Sequence, residues 1–493
     1  MRKINFLSWI LLLLLAYPVT AQLSGSNLLE YQLGNLPDTD PQNLSTLYDQ
    51  LNLTYRFENL ILKTKIEQFQ TEDDNKKYSE LAQRSIIFRH GDFKLAVGNF
   101  YHIIGRGLLL RSYEIPGTIL EDVGFRSRYG FYRDLDGFFI GYDPGFAEIT
   151  AFRGKPLNNA IPPIISDDFR RPNLLEGING TFYFDNWSAG GAYMRNNIDG
   201  EVREYFSTNL SVNLPIDIQL YSEYAQQSGA GNDLFDLSNV SAHALYLSLN
   251  FLAGPFGMSA EYKDYNEFLL GFNDPPPLVK EQQYLLLNRL THRLIPSNES
   301  GWQTEFFYTL DEGHSMIVNI AEAVNETQLF RNIFKEQFAE LSYIMNSTTS
   351  LKGFIDHSKE TNPVTEDRYT AGAYAETGIT SRIGLNVDVE YQTVTRTAFE
   401  KDEFTNYALL VVVSYAPDLS LGIVAEHSDD QREVSAGESN ETWLSGSLSY
   451  QYKQHHLITL FYGKRRGGNA CTSGICYEVL PFEGFEIRIS SLL

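Results

Sequence analysis

From Gly384 to Gln392 the chain alternates apolar and polar residues. Leu385, Val387, Val389 and Tyr391 fall on one face of an extended strand, and Asn386, Asp388, Glu390 and Gln392 fall on the other. The same period of two recurs at 51–57, 245–251, 448–452 and 485–489. These segments run to about 9–12 residues, longer than the roughly 5–6 of ordinary strands and matched to a tilted strand crossing a bilayer. A soluble sandwich hides such an apolar face against a second sheet, whereas a membrane barrel turns it to lipid and keeps the polar face for a lumen. The pattern therefore predicts an all-β chain, a single large antiparallel transmembrane β-barrel.

Two kinds of connection alternate along the chain. Short ones such as Glu58-Asn59, His90-Gly91-Asp92, Asp143-Pro144-Gly145 and Ala416-Pro417-Asp418 carry turn residues; long polar ones include 101–136, 266–300 and 464–483. Outer-membrane barrels keep short turns on the periplasmic side and long loops outside, so chain ends that are both periplasmic require an even strand number. The expected count is about 24, within a range of about 22–26, because 106–113 and 281–293 each read as a possible further strand. Tyr48, Phe57, Tyr183, Phe184, Trp187, Tyr265, Phe268, Trp302 and Trp443 fall near expected strand ends, where aromatic girdles form.

Residues 1–21 have the form of a secretory signal: Arg2 and Lys3, an apolar run from Phe6 to Leu15, then Val19-Thr20-Ala21 as a small-residue cleavage site. Export to the bacterial outer membrane is the expected localisation. No later stretch approaches the roughly 18 apolar residues of a helical span, and no linker-like composition divides 22–493, which reads as one barrel. Removing Arg2 and Lys3 takes the net charge from −23 to −25, which argues against nucleic acid. Such an acidic surface suits divalent-cation bridging to lipopolysaccharide, and plain solubility accounts for it as well. The two cysteines, Cys471 and Cys476, read as a disulfide staple on a loop outside the membrane, dispensable for the barrel. A metal site would need further ligands close by in sequence, and none is there.

Arginine is unevenly placed. Ten of the 24 arginines lie between 84 and 171, and with Lys94 and Lys155 against ten carboxylates they give this window about +2 in a strongly acidic chain. Folded inward, 101–136 would form a constriction in which Arg106, Arg111, Arg126 and Arg128 face Glu114, Glu121 and Asp122, sorting solutes by charge. A second reading also stands, in which these arginines brace the wall by pairing with strand carboxylates. Gly105-Arg106-Gly107 lets the chain bend inward. The closest approach to a catalytic group is His427 with Ser428, Asp429 and Asp430, an ordinary loop start, and no nucleophile elbow, zinc motif or phosphate loop occurs. Neither an enzyme nor a cofactor protein is expected.

At Val97-Gly-Asn-Phe-Tyr-His-Ile-Ile-Gly-Arg-Gly-Leu-Leu-Leu-Arg111, and again at the Cys471–Cys476 loop leading into Gly484-Phe-Glu-Ile-Arg-Ile-Ser490, the chain resembles an uncharacterised family. That family comprises exported, porin-like outer-membrane β-barrels from Bacteroidota-type bacteria, a domain of unknown function. The resemblance implies a barrel and a location, and no functional residue. The ending Ser491-Leu492-Leu493 departs from the terminal Phe or Trp that the barrel assembly machinery often meets. The expected function is a porin-like channel for passive or weakly selective passage of small polar solutes. The alternatives are a plugged barrel serving surface protein export or glycan handling and, third, an outer-membrane hydrolase. No extended plug domain precedes the first strand, expected at about 28–35, which argues against an energised importer.

Overall fold

A computed structural model describes residues 22–35, 43–122, 126–157, 172–228, 242–277, 279–289, 291–293, 297–310, 313–327, 330–362, 364–398, 401–432, 440–472 and 475–493. Within it, 24 antiparallel strands close into one barrel, meeting the expected count. Each wall strand pairs with the next in chain order. The first, Gln22–Asn35, pairs with Asn43–Phe57 on one side and with the last, Phe482–Leu492, on the other. Closure leaves no unpaired edge, which is the condition for a sheet to survive in hydrocarbon. Wall strands range from 8 residues, as in Phe93–Phe100, to 16 in Arg331–Asn346. The signal segment expected at 1–21 lies outside the described residues.

Two segments held open as further strands do not join the wall. Residues 106–113 belong to an inward lobe tied by the single bridge Ile103↔Arg111 and, from Tyr113, to a separate hairpin. Residues 281–293 contain a one-turn helix, Leu285–Arg289. Three successive leucines carry no period of two, so nothing in that stretch holds an alternating strand in register.

The two faces sort as the alternation requires. In Ile383–Thr397, Val389 and Tyr391 are exposed outward while Glu390 and Gln392 are 2% and 1% exposed inward. Ile86, Phe88, Phe138, Ile140, Leu247, Ile355, Leu421 and Ile423 continue the outer apolar belt. On the short-turn rim the belt ends in stacked aromatics, Phe93 on Tyr142 at 4.6 Å and Phe184 on Trp187 at 3.9 Å. Toward the long-loop rim it gives way to ion pairs: Arg153–Glu176 at 3.3 Å, Arg195–Glu204 at 3.6 Å and Lys335–Glu322 at 3.3 Å. Not all the expected girdle residues lie in it. Tyr48, Tyr265 and Trp443 are buried in the interior because their positions in register point inward and the lumen there is filled, and Phe268 is buried because it lies past its strand in a segment that turns inward.

Val387 lies on the outer face near mid-strand, where an arginine has no aqueous partner. Val387→Arg is expected to cost roughly 2–4 kcal/mol of barrel stability, while inward Asp388→Asn is tolerated. Heat-modifiable gel mobility against urea checks this, and equal tolerance of both changes would mean that the face assignment is wrong.

Candidate functional site

The described residues of three connections on the long-loop side, 101–134, 267–298 and 466–481, turn back into the barrel. They lock to one another. The first meets the second where Arg111 pairs with Asp274 at 3.0 Å and the Asn273 amide donates to the Leu108 carbonyl at 3.1 Å. It meets the third where Phe131 packs edge-on to Tyr477 at 5.3 Å and Arg126 donates to the Pro481 carbonyl at 3.0 Å. The second meets the third where Arg289 donates to the Gly467 carbonyl at 2.7 Å and the Cys471 N–H donates to Asn288 Oδ1 at 2.9 Å. Together they make an internal plug.

One sector of the plug is apolar. Ile104, Leu108, Leu109, Leu110, Phe268 and Phe272 pack on inward wall residues including Phe139, Phe152, Leu175, Met194 and Tyr205 in a single buried cluster. The lobe is held by Ile104 N–H to the Leu110 carbonyl at 3.0 Å and Ser112 N–H to the His102 carbonyl at 3.1 Å. Its tip needs glycine. Gly105 has φ +55°, and a Cβ there would lie 2.4 Å from the Glu223 carboxylate; Gly107 has φ +94°, and a Cβ there would lie 2.9 Å from the Asp274 carbonyl.

The seven charged residues singled out in 101–136 fall into separate clusters. Arg106 sits at the tip, its guanidinium 5.0 Å from the Tyr221 ring centre and its N–H donating to Glu223 at 2.6 Å. Arg111 is on Asp274. Glu114 accepts from buried Lys65 at 2.7 Å and from the Tyr101 hydroxyl at 3.0 Å. Glu121 takes Arg126 at 3.2 Å and Arg128 at 3.1 Å, and Arg128 also pairs with Glu30 of the first wall strand. Asp122 closes the adjoining turn through its backbone, its N–H donating to the Ser127 carbonyl at 2.9 Å.

The opposite sector is ionic, and sequence reasoning did not single it out. Arg289 forms a bidentate pair with Glu426 at 3.0 and 2.7 Å, and the Leu285 and Leu286 N–H groups each donate to Glu390 at 2.7 Å. Tyr284 stacks on Phe354 at 3.7 Å and donates to Glu340 at 2.8 Å. Arg396 spans Asp430 and Glu366 at 2.7 and 2.9 Å. The only signal for this sector was the inward register of those carboxylates. Cys471 and Cys476 are joined at 2.01 Å, and Cys471 is buried against the helix, so the hairpin faces inward where an exterior loop was expected.

Two plug histidines are held in opposite protonation states. His102 Nε2–H donates to Asn179 Oδ1 at 2.9 Å between the rings of Phe139 and Phe152, and burial pushes its imidazole down to about 4 against the Asn179 hydrogen bond. His292 lies 3.6 Å from Glu299 and 3.4 Å from Glu360. Burial works against its charge, but the two carboxylates outweigh it and hold it up at about 8. Among the described residues, no group of three or more His, Cys, Asp or Glu side chains is arranged around a metal. Cavities flank the plug at both rims: about 840 Å³ toward the short turns and about 480 Å³ toward the long loops, the latter lined by Arg289, His292, Asn332, Glu360 and Arg368.

Among solved structures, the chain is similar to the P pilus usher (PapC) translocation pore at TM-score 0.48 and 10% identity, covering 96% of this chain and 99% of that one. It is similar to OpdQ of Pseudomonas aeruginosa at TM-score 0.42 and 13% identity, covering 76% and 98%. A third likeness is to the copper transporter OprC at TM-score 0.46 and 9% identity, covering 96% and 80%. No curated protein matches. The model of a family of unknown function (DUF6029) matches residues 195–493.

The two histidines generate a test. His102 has a folded value below the ordinary 6.5, so its contribution is complete above pH 6.5 and is lost as pH falls through about 4. His292 has a raised value, so its contribution is complete below pH 6.5 and is lost as pH rises through about 8. Protection factors, which remove the intrinsic pH dependence of amide exchange, should fall in 101–112 on acidification and in 285–289 on mild alkalinisation, with His102→Asn and His292→Asn each flattening its own limb. Unchanged profiles in both variants would remove these assignments.

Proposed function

The chain belongs to that family of unknown function, and with no activity to inherit from it we propose that the barrel is an outer-membrane channel for small polar solutes, its conduction set by a plug made from its own loops. The observation that carries this reading is the mutual locking of 101–134, 267–298 and 466–481 between two cavities, one at each rim. A barrel of 24 strands encloses more space than wall side chains can fill, and an unplugged lumen of that size would be a wide aqueous hole. A plug joined to the wall in part by ion pairs and hydrogen bonds, as at Arg289 and Glu426, can rearrange, whereas a continuous apolar seal would not. Export through a cleaved leader, insertion by the barrel assembly machinery, contact with lipopolysaccharide and a Bacteroidota-type source belong to the same proposal.

The pore-lining role of Arg106, Arg111, Arg126 and Arg128 with Glu114, Glu121 and Asp122 is also part of it. A second reading, passage of a larger cargo such as an exported protein or glycan once the plug is displaced, draws support from the strand number, since small solutes do not require so wide a wall.

Single-channel recording on reconstituted protein tests the proposal. Small, flickering conductance is expected, rising when Asn288→Ala and Arg289→Ala together cut the ties between two plug segments. A large steady conductance in the wild type would remove the plug's role, and silence in both proteins would remove the channel. Replacing the four arginines by glutamine should shift the reversal potential in a salt gradient toward cation preference. A lowered melting temperature with an unshifted potential would assign them to bracing alone.

A further inference from the structure

We propose that the cavity at the short-turn rim is a binding site for a small polyanion, a solute bearing two or more carboxylate, phosphate or sulfate groups. The proposal deepens the channel reading by naming a solute class, and rests on it only for the solute's passage. The cavity holds about 840 Å³, within the range of small-molecule sites. Its roof is the plug itself, through Tyr101, Glu114, Pro116 and Gly117.

The charge on its lining is one-sided. Lys63, Lys65, Arg89 and Lys94 face it against a single carboxylate, Glu114, and that carboxylate is already taken by Lys65 at 2.7 Å. Arg89 and Lys94 are direct cross-strand partners between Tyr78–His90 and Phe93–Phe100, with side chains on the same inward face. Cβ atoms at such positions stand about 4.5–5.5 Å apart, and like charges placed there repel. The Lys94 ammonium rests 4.8 Å from the centre of the Phe139 ring. Lys63 is inward on the adjoining strand Leu60–Thr71. Among the described residues, no carboxylate lies within 4.0 Å of Lys63, Arg89 or Lys94. Glu148 faces Lys94 from the strand Ala147–Pro156 without contacting it, and instead accepts the Tyr183 hydroxyl at 3.4 Å.

A chain of net charge −23 has thus placed three cations without paired carboxylates on two neighbouring hairpins, inside a cavity whose adjoining strands add the neutral groups Asn52, Ser26 and Ser490. Charge-assisted hydrogen bonds from three cations answer a ligand with several anionic groups, and only such a ligand neutralises the Arg89–Lys94 pair and Lys63 together. The enclosing plug and wall limit that ligand to the size of a small metabolite.

The test uses the full chain in detergent and citrate as probe, followed by calorimetry at low salt. Saturable binding is expected, weakening as salt rises, with a loss of at least about tenfold in the variant carrying Lys63→Gln, Arg89→Gln and Lys94→Gln, and a gain in Glu148→Gln. As a check that does not depend on the variants folding, citrate should protect Lys63 and Lys94 of the wild-type protein from an amine-reactive reagent. Equal labelling with and without citrate, absence of binding at millimolar citrate, or equal affinity in a triple variant that keeps heat-modifiable mobility would overturn the site. Equal affinity for acetate would reduce it to general screening and overturn it too. Binding is read without current, so a barrel that binds citrate but never conducts removes the channel reading and keeps the site, and one that conducts without binding does the reverse.

Discussion

Every backbone N–H and carbonyl of this chain that stands in hydrocarbon must find a partner within the protein, and the rest of the architecture follows from that demand. An open sheet of any width leaves two edges unpaired, so the wall has to meet itself, and it does so between Gln22–Asn35 and Phe482–Leu492. Once the wall is closed, alternation assigns each residue to lipid or lumen with no third choice. The seam carries the same logic in its side chains: Glu30 on the first strand accepts from Arg488 on the last, and Gln32 donates to Glu486.

Closing so many strands creates a second problem, an interior far wider than its own side chains span. The chain solves it from one rim with three of its loops, in two chemical styles. Around Leu108–Leu110 the plug meets the wall as an apolar core, where dispersion and desolvation dominate and the few polar groups, such as His102 on Asn179, are paired. Around Arg289, Glu390 and Glu426 it meets the wall through charged groups: Arg289 pairs with Glu426, and Glu390 takes two backbone N–H groups of the helix, because a buried charge left without partners is far more costly than one that has them. The ionic style responds to pH and salt.

The wall was legible in the sequence because period two is a direct image of the pleat: strand number, faces and the outward set from Leu385 to Tyr391 follow from it. The filling of the lumen was not. Alternation states that Tyr48 and Trp443 lie opposite their neighbours, but not whether the space they enter holds water or protein, so both read as girdle residues when they are interior. Phe138-Phe139-Ile140 is apolar on consecutive positions, a trace of a wall with a greasy inside, yet a short apolar run has several explanations. The charged residues of 101–134 could be named from their density, but their partners, Glu30, Asp274 and Glu223, come from distant parts of the chain that only closure brings together.

That closure joins residues 458 positions apart in the Glu30–Arg488 contact. The entropy of bringing such distant ends together grows only slowly with length, about 0.6 kcal/mol per doubling, so the toll falls on time more than on the finished stability. Without the final strand the opening strand has a bare edge, and such an edge can pair with any other strand it meets. Loss of the final strand would therefore yield no smaller barrel, only a curved sheet with two adhesive margins. The plug depends on the same closure, since its contacts with Glu30 on one flank and Glu426 on the other reach strands from the two ends of the chain.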